Sequence, residues 1–228
     1  MDGKCCRVAC DMNSDFEDGF KEKCPHLKIV FDYFHIVKNF NEKVLNNVRK
    51  DEYNRLINEK KFEEANILKN SKYILTSSKE TLKQKDLDAK NNKEIRKGSK
   101  LFNIDKITRK GSYEERYNEI IKSNELLFVA DLIKEKIRLA YSREDSKKMI
   151  DDITDIIMIC NQTNNSHFKW FSNLIINHFS GIITHSKYKI SSGKIEGINN
   201  KIKTLRREAY GYPDDEYFFL KLLDASRN

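Results

Sequence analysis

Two short apolar runs, each stopped by an aspartate, constrain this chain more than anything else in it. Arg7-Val8-Ala9-Cys10 runs into Asp11, and Lys28-Ile29-Val30-Phe31 runs into Asp32. The stretch between them, Ser14 to Lys23, is polar, carries Phe16 and Phe20 one helical turn apart, and is closed by Pro25. Strand, helix, strand reads as two parallel strands with a right-handed crossover, because parallel neighbours need such a connection and hairpins do not. In such sheets chemistry gathers at the carboxyl ends of the strands, where both aspartates fall. An aspartate there is also a common helix cap, so the pattern alone leaves both readings open.

The rest of the chain reads as helix. Phe34, Val37, Phe40, Val44, Leu45 and Val48 recur every three or four residues, and the period continues from Leu56 to Leu68 and ends near Tyr73-Ile74-Leu75. It returns at Tyr113, runs on through Ala140, and resumes from Ser146 to Ile159 behind the cap candidates Glu144 and Asp145. A further helix carries His167, Phe168, Trp170, Phe171, Leu174, Ile175, Phe179 and Ile182. That aromatic stripe reads as core packing; Trp170 stacked on an unpaired base is the sharper alternative. Taken alone, His35 is a packed or capping residue at a first helical turn.

Composition bounds the partners. The net charge is +8, and residues 79–110 supply +6 of it, with eleven Lys/Arg against five Asp/Glu. That segment reads as a flexible linker or a phosphate-binding stretch. An acidic polymer suits such a surface, although a generally lysine-rich proteome gives the same total. No apolar run approaches the ~20 residues needed to cross a bilayer, and Met1-Asp2-Gly3-Lys4 begins no signal peptide. A cytoplasmic protein without a membrane partner is expected. Its five cysteines are odd in number and follow no C-x-x-C spacing, which favours reduced, structural thiols.

The last informative stretch runs from Ile190 to Arg207. Ser191 or Ser192 can cap a helix with an apolar face of Ile195, Ile198, Ile202 and Leu205. The opposite face carries Glu196, Asn199, Asn200, Lys203, Arg206 and Arg207, one carboxylate in a row of amides and cations. A solvated helix with an incidental glutamate is the plain reading. Gly197 argues against it, because a helical glycine costs roughly 1 kcal/mol relative to Ala and often marks close approach by another group.

Together these residues carry a resemblance. Asp11-Met12 after a strand, Phe31-Asp32-Tyr33-Phe34-His35-Ile36-Val37-Lys38, and the run from Gly193 to Lys203 that reads G-K-I-E-G-I-N-N-K-I-K resemble the insertion-sequence-L-three group of DDE transposases. Arg207-Glu208-Ala209-Tyr210-Gly211-Tyr212 and the segments 68–73 and 132–137 are similar too, so nearly the whole chain is covered. The resemblance implies a mainly α fold with a small parallel β remnant: a truncated ribonuclease-H-like core with a large helical insertion. Residues 1–40 would be the partial core, 41–190 the insertion, and 191–228 the helix returning to the core.

By the same resemblance Asp11 matches the second catalytic aspartate and Glu196 the final glutamate, both as metal ligands. Asp32 and His35 match a supporting D-x-x-H signature. The implied cofactor is Mg²⁺ or Mn²⁺, and the implied partner is DNA at transposon ends, held by Lys194, Lys201, Lys203, Arg206 and Arg207. Phosphoryl transfer with two metals needs carboxylates that hold the ions ~3.5–4 Å apart.

The family's first catalytic aspartate lies on an earlier strand, and only ten residues precede Asp11. The expectation is a transposase fragment, inactive alone and completed by a missing amino-terminal portion or a full-length transposase. The alternative is a non-enzymatic DNA- or transposase-binding module that inhibits or complements the whole enzyme. Two structural expectations follow: two parallel strands near residues 6–10 and 28–31, and an approach of the Asp11 and Glu196 carboxylates to within about 12 Å, the scale of one pocket.

Overall fold

A computed structural model describes residues 7–91, 111–191, 193–208 and 214–226; the side chains of Lys194, Ile195 and Glu196 lie outside that description. Strands β1 (Arg7–Cys10) and β2 (Lys28–Phe31) pair in parallel, with Arg7 opposite Lys28 and Cys10 opposite Phe31. Helix α1 (Ser14–Lys23) makes the crossover. The Asn13 side chain accepts from the Asp15 N–H, acidic Asp15 and Glu17 occupy the first turn, and Lys21 and Lys23 the last, as the helix dipole favours.

A long helix leaves β2. Its first part, α2 (Tyr33–Asn39), is capped by Asp32 and passes through a π-helical turn (Phe40–Leu45) into α3 (Asn46–Asn58). In that turn the Asn46 N–H donates to the Asn41 carbonyl, and the extra residue lets Phe40, Val44 and Leu45 all bury. The short helices α4 (Phe62–Leu68) and α5 (Lys72–Thr76) follow, then α6 (Lys79–Asn91), α7 (Tyr113–Ser123) and α8 (Glu125–Ser142). Next come α9 (Ser146–Gln162), α10 (Ser166–Asn177) and α11 (Phe179–Lys187). Helices α8, α9 and α10 pack in sequence and α11 lies against β2, so one core runs from Phe31 through Phe40, Ile133, Ile153 and Phe171 to Ile182. The chain ends in α12 (Gly193–Glu208) and α13 (Asp215–Ser226).

The two strands and the helical remainder agree with the sequence reading, and the differences have local causes. The first part of the lysine-rich segment 79–110 is helical, not a linker: Leu82 is buried, and the Asp86 carboxylate accepts from the N–H groups of Tyr113 and Glu114. Residues 92–110 lie outside the described part. The helix expected from Tyr113 through Ala140 is two, broken at Asn124, and the aromatic helix breaks at His178. Phe168, Phe171, Ile175 and Ile182 are buried as expected, whereas Trp170 is 40% exposed and stands outside the core. Cys10, Cys24 and Cys160 are free thiols. No described helix is long and apolar enough to cross a membrane.

Asn124 does two jobs at its break. Its side-chain oxygen accepts from the Leu127 N–H to cap α8, and its amide donates to the buried Glu52 at 2.6 Å. Glu52 is held from the other side by Arg55 at 2.8 Å. Asn124→Ala removes a cap, typically worth about 1 kcal/mol, and one hydrogen bond to a charged acceptor that Arg55 still holds, worth about 1.5–3 kcal/mol. A loss of roughly 2–3 kcal/mol in urea unfolding is expected; an unchanged midpoint would show that neither bond matters.

Candidate active-site cleft

Asp11 sits where β1 ends, and its carboxylate stays half-exposed while accepting from the Met12 N–H at 2.8 Å. The His35 Nδ1 lies 3.2 Å from the Asp11 Oδ1. His35 reaches that position because Asp32 starts α2 beside it: the Asp32 carboxylate accepts from the Phe34 N–H and the Asp32 carbonyl from the His35 N–H. The two strand-end aspartates thus do different work. Asp11 faces solvent beside an imidazole, whereas Asp32 is buried and caps a helix.

Asp32 has a second partner that spacing could not reveal. The Ser191 hydroxyl donates to its other oxygen at 3.0 Å and accepts from the Gly193 N–H at 3.1 Å, which opens α12. The buried ring of His185 and the phenol of Tyr141 flank this region; the Tyr141 hydroxyl donates to the Phe31 carbonyl at 3.3 Å. Burial lowers the His185 pKa, against the pull of Asp32, and burial raises that of Tyr141, with Asp32 adding to it. Both groups are therefore held neutral around the Asp32 carboxylate.

Helix α12 returns to Asp11. A cleft of about 510 Å³ is lined by Asp11 and His35, by Phe16 of α1, and by Asn199, Asn200 and Lys203 of α12. Glu196 lies one turn before Asn199 and Asn200 on that helix. Its side chain, and with it the expected carboxylate approach, falls outside the described residues, as does the side chain of Lys194. Lys201, Lys203, Arg206 and Arg207 are exposed. They do not act alike: Lys203 lines the cleft, whereas the Arg206 guanidinium stands 5.6 Å over the Phe218 ring of α13.

Two details of α12 depart from the sequence reading. Its apolar face is not sealed: Ile198 is 59% exposed, and Ile202 and Leu205 are only partly covered. Among the described residues, a Cβ at Gly197 would meet nothing within 4 Å, so none of their atoms requires that glycine. Beside Asp11, burial and the Glu17 and Asp11 carboxylates push the Cys10 thiol up to about 11. It stays protonated at neutral pH. Among the described residues no group of three or more His, Cys, Asp or Glu side chains is clustered to hold an ion.

With this geometry in hand, relatives were sought. A family model described as a transposase, for the insertion-sequence-L-three group, matches residues 3–222. The transposase for insertion sequence element IS1001 of Bordetella parapertussis is 25% identical over 225 residues, covering 96% of this chain and 47% of that protein. The chain spans about half the length of that curated relative. No solved structure gives a significant match.

Proposed function

The chain belongs to the insertion-sequence-L-three family of transposases, and on that basis we propose that it serves DNA transposition by metal-dependent strand cleavage and transfer. Asp11 and Glu196 are the carboxylates that hold Mg²⁺ or Mn²⁺, and the strand-helix-strand unit is part of a ribonuclease-H-like core. One observation carries this reading: Asp11 at the end of β1 and three residues of α12 line a single cleft, although most of the chain separates them.

The donor chemistry fits a hard cation. Asp11 presents an open carboxylate, and Mg²⁺ prefers oxygen ligands while keeping some of its waters. When bound, the metal supplies Lewis-acid stabilisation of the oxygens in phosphoryl transfer. His35 orients the Asp11 carboxylate from 3.2 Å, and Asp32 fixes both neighbours by capping α2 and receiving the Ser191 hydroxyl ahead of α12. Lys194, Lys201, Lys203, Arg206 and Arg207 supply positive charge along α12 for DNA phosphates at transposon ends. The chain contributes two candidate carboxylates; the third comes from a further transposase segment, in the same protein or in trans.

Metal placement can be read without activity. Fe²⁺ in place of Mg²⁺, with ascorbate and peroxide, cuts backbone close to where it binds. Fragments ending near residues 11 and 196 are expected, and Asp11→Asn should abolish both. Cuts elsewhere, or cuts that persist in Asp11→Asn, would remove the assignment.

A further inference from the structure

At the amino ends of the strands, the end away from Asp11, lies a second and larger groove of about 740 Å³. Helix α1 is the ridge between the two. Phe16 and Phe20 face the Asp11 cleft, and Glu17 and Lys21 face the groove. Lys28 from the start of β2 and Lys187 from the end of α11 also line it, with Ser180 and Thr184 between them. Its far corner is Tyr188, whose ring is held by the Arg7 guanidinium at 4.7 Å and the Lys28 ammonium at 5.9 Å.

The charge balance of this groove is one-sided. Its one carboxylate, Glu17, is already satisfied, bonded to the His178 Nδ1 at 2.6 Å and standing 3.7 Å from Lys21. Lys189 on the rim is paired with Glu144. Lys28 and Lys187 form no ion pair among the described residues. Asp15, Asp18 and Glu22 are exposed on α1 and do not line the groove. Two ammonium groups without an ion pair among the described residues, hydroxyls and an aromatic ring along an open trough suit a phosphodiester strand better than a compact acidic side chain.

We propose that this groove is a second DNA-backbone site, in which Lys28 and Lys187 neutralise phosphates of the duplex whose reacting strand lies at Asp11. The identity of the polymer rests on the transposase reading; the groove and its charges do not. Distance permits one duplex to use both clefts. Lys28 and Asp32 are four residues apart along β2, roughly 13 Å at about 3.3 Å per residue. That is about four base steps at roughly 3.4 Å per base along one strand.

The test is a salt titration of a fluorescein-labelled 20-base-pair duplex on the full chain. Lys28→Glu/Lys187→Glu should weaken binding about tenfold at low salt. It should also flatten the slope of log K against log salt by about two, since each lost phosphate contact removes roughly 0.9. Lys203→Glu/Arg207→Glu on α12 reads the DNA path of the proposed function independently. If only the α12 pair weakens binding, the groove proposal is overturned and that function stands; if the unaltered chain binds no DNA at low salt, both fall. Acetylation footprinting of the unaltered chain guards against misfolded variants. The duplex should protect Lys28 and Lys187 and leave the exposed Lys169 reactive. Protection of the two groove lysines by polyglutamate and not by the duplex would assign the groove to an acidic protein and overturn the proposal.

Discussion

Supercoiled plasmid incubated with a polypeptide of these 228 residues and Mg²⁺ or Mn²⁺ is expected to stay unnicked. Two-metal phosphoryl transfer requires the attacking and the leaving oxygen to be stabilised together, and loss of a single preorganised contact of this kind costs roughly 10²–10³ in rate. Asp11 and Glu196 are the proposed ligands, and Asp32 is already engaged elsewhere. One of its oxygens caps α2, the other receives the Ser191 hydroxyl, and the residue is buried. Asp15 and Asp18 are exposed on α1, and neither lines the cleft. A transposase segment bearing the missing aspartate, added in trans or by fusion, should restore strand transfer. Metal-dependent nicking by the lone chain that Glu196→Gln abolishes would refute the expectation. Nicking that survives the substitution would instead identify a contaminating nuclease.

Gly181→Ala should cost the fold about 2–3 kcal/mol, although in an open helix the same change stabilises by close to 1 kcal/mol. The added Cβ would lie 2.5 and 2.6 Å from two carbons of the Phe31 ring. Phe31 is fully buried and has its edge against His178, which Glu17 holds in turn, so the ring has no direction in which to withdraw. For a chain of this length the melting temperature should fall by roughly 5–8 °C. Shortening the ring in Gly181→Ala/Phe31→Leu should recover part of that loss. A melting temperature within about 1 °C of the unaltered chain would mean that α11 does not press on β2 as described.

What the sequence made legible follows from the range of each signal. Val8 and Ala9, or Val30 and Phe31, announce a strand within a few residues, and so do the apolar positions of α9 and α10. The breaks at Asn124 and His178 escaped because both side chains look like ordinary polar positions inside a helical period. Asn124 ends one helix and starts the next through hydrogen bonds that spacing does not record. The π-helical turn escaped for a related reason: inserting one residue shifts the period without interrupting it. For Asp32 the residues alone left a cap and a chemical role open, and the structure shows the cap. The meeting of Asp11 with α12 was legible only through family resemblance. Closure over so long a separation leaves no trace in local pattern, and the groove formed by Lys28 and Lys187 was invisible for the same reason.

The bond from Ser191 to Asp32 joins residues 159 positions apart. The helical body between them leaves the small sheet through α2 and comes back to it, so that this bond closes a loop whose neck also includes the packing of α11 on β2. Closing a loop costs only about 0.6 kcal/mol more for each doubling of its length, so the neck is nearly indifferent to how much chain it encloses. Lengthening an exposed connection far from the neck should therefore cost little, whereas α4 to α7 bury Leu68, Leu75, Leu82 and Ile120 in the common core. The spacing between Asp11 and α12 would stay as it is. The length of the body is thereby separated from the geometry of the cleft, with the serine–aspartate bond and the packing of α11 on β2 at the boundary between the two.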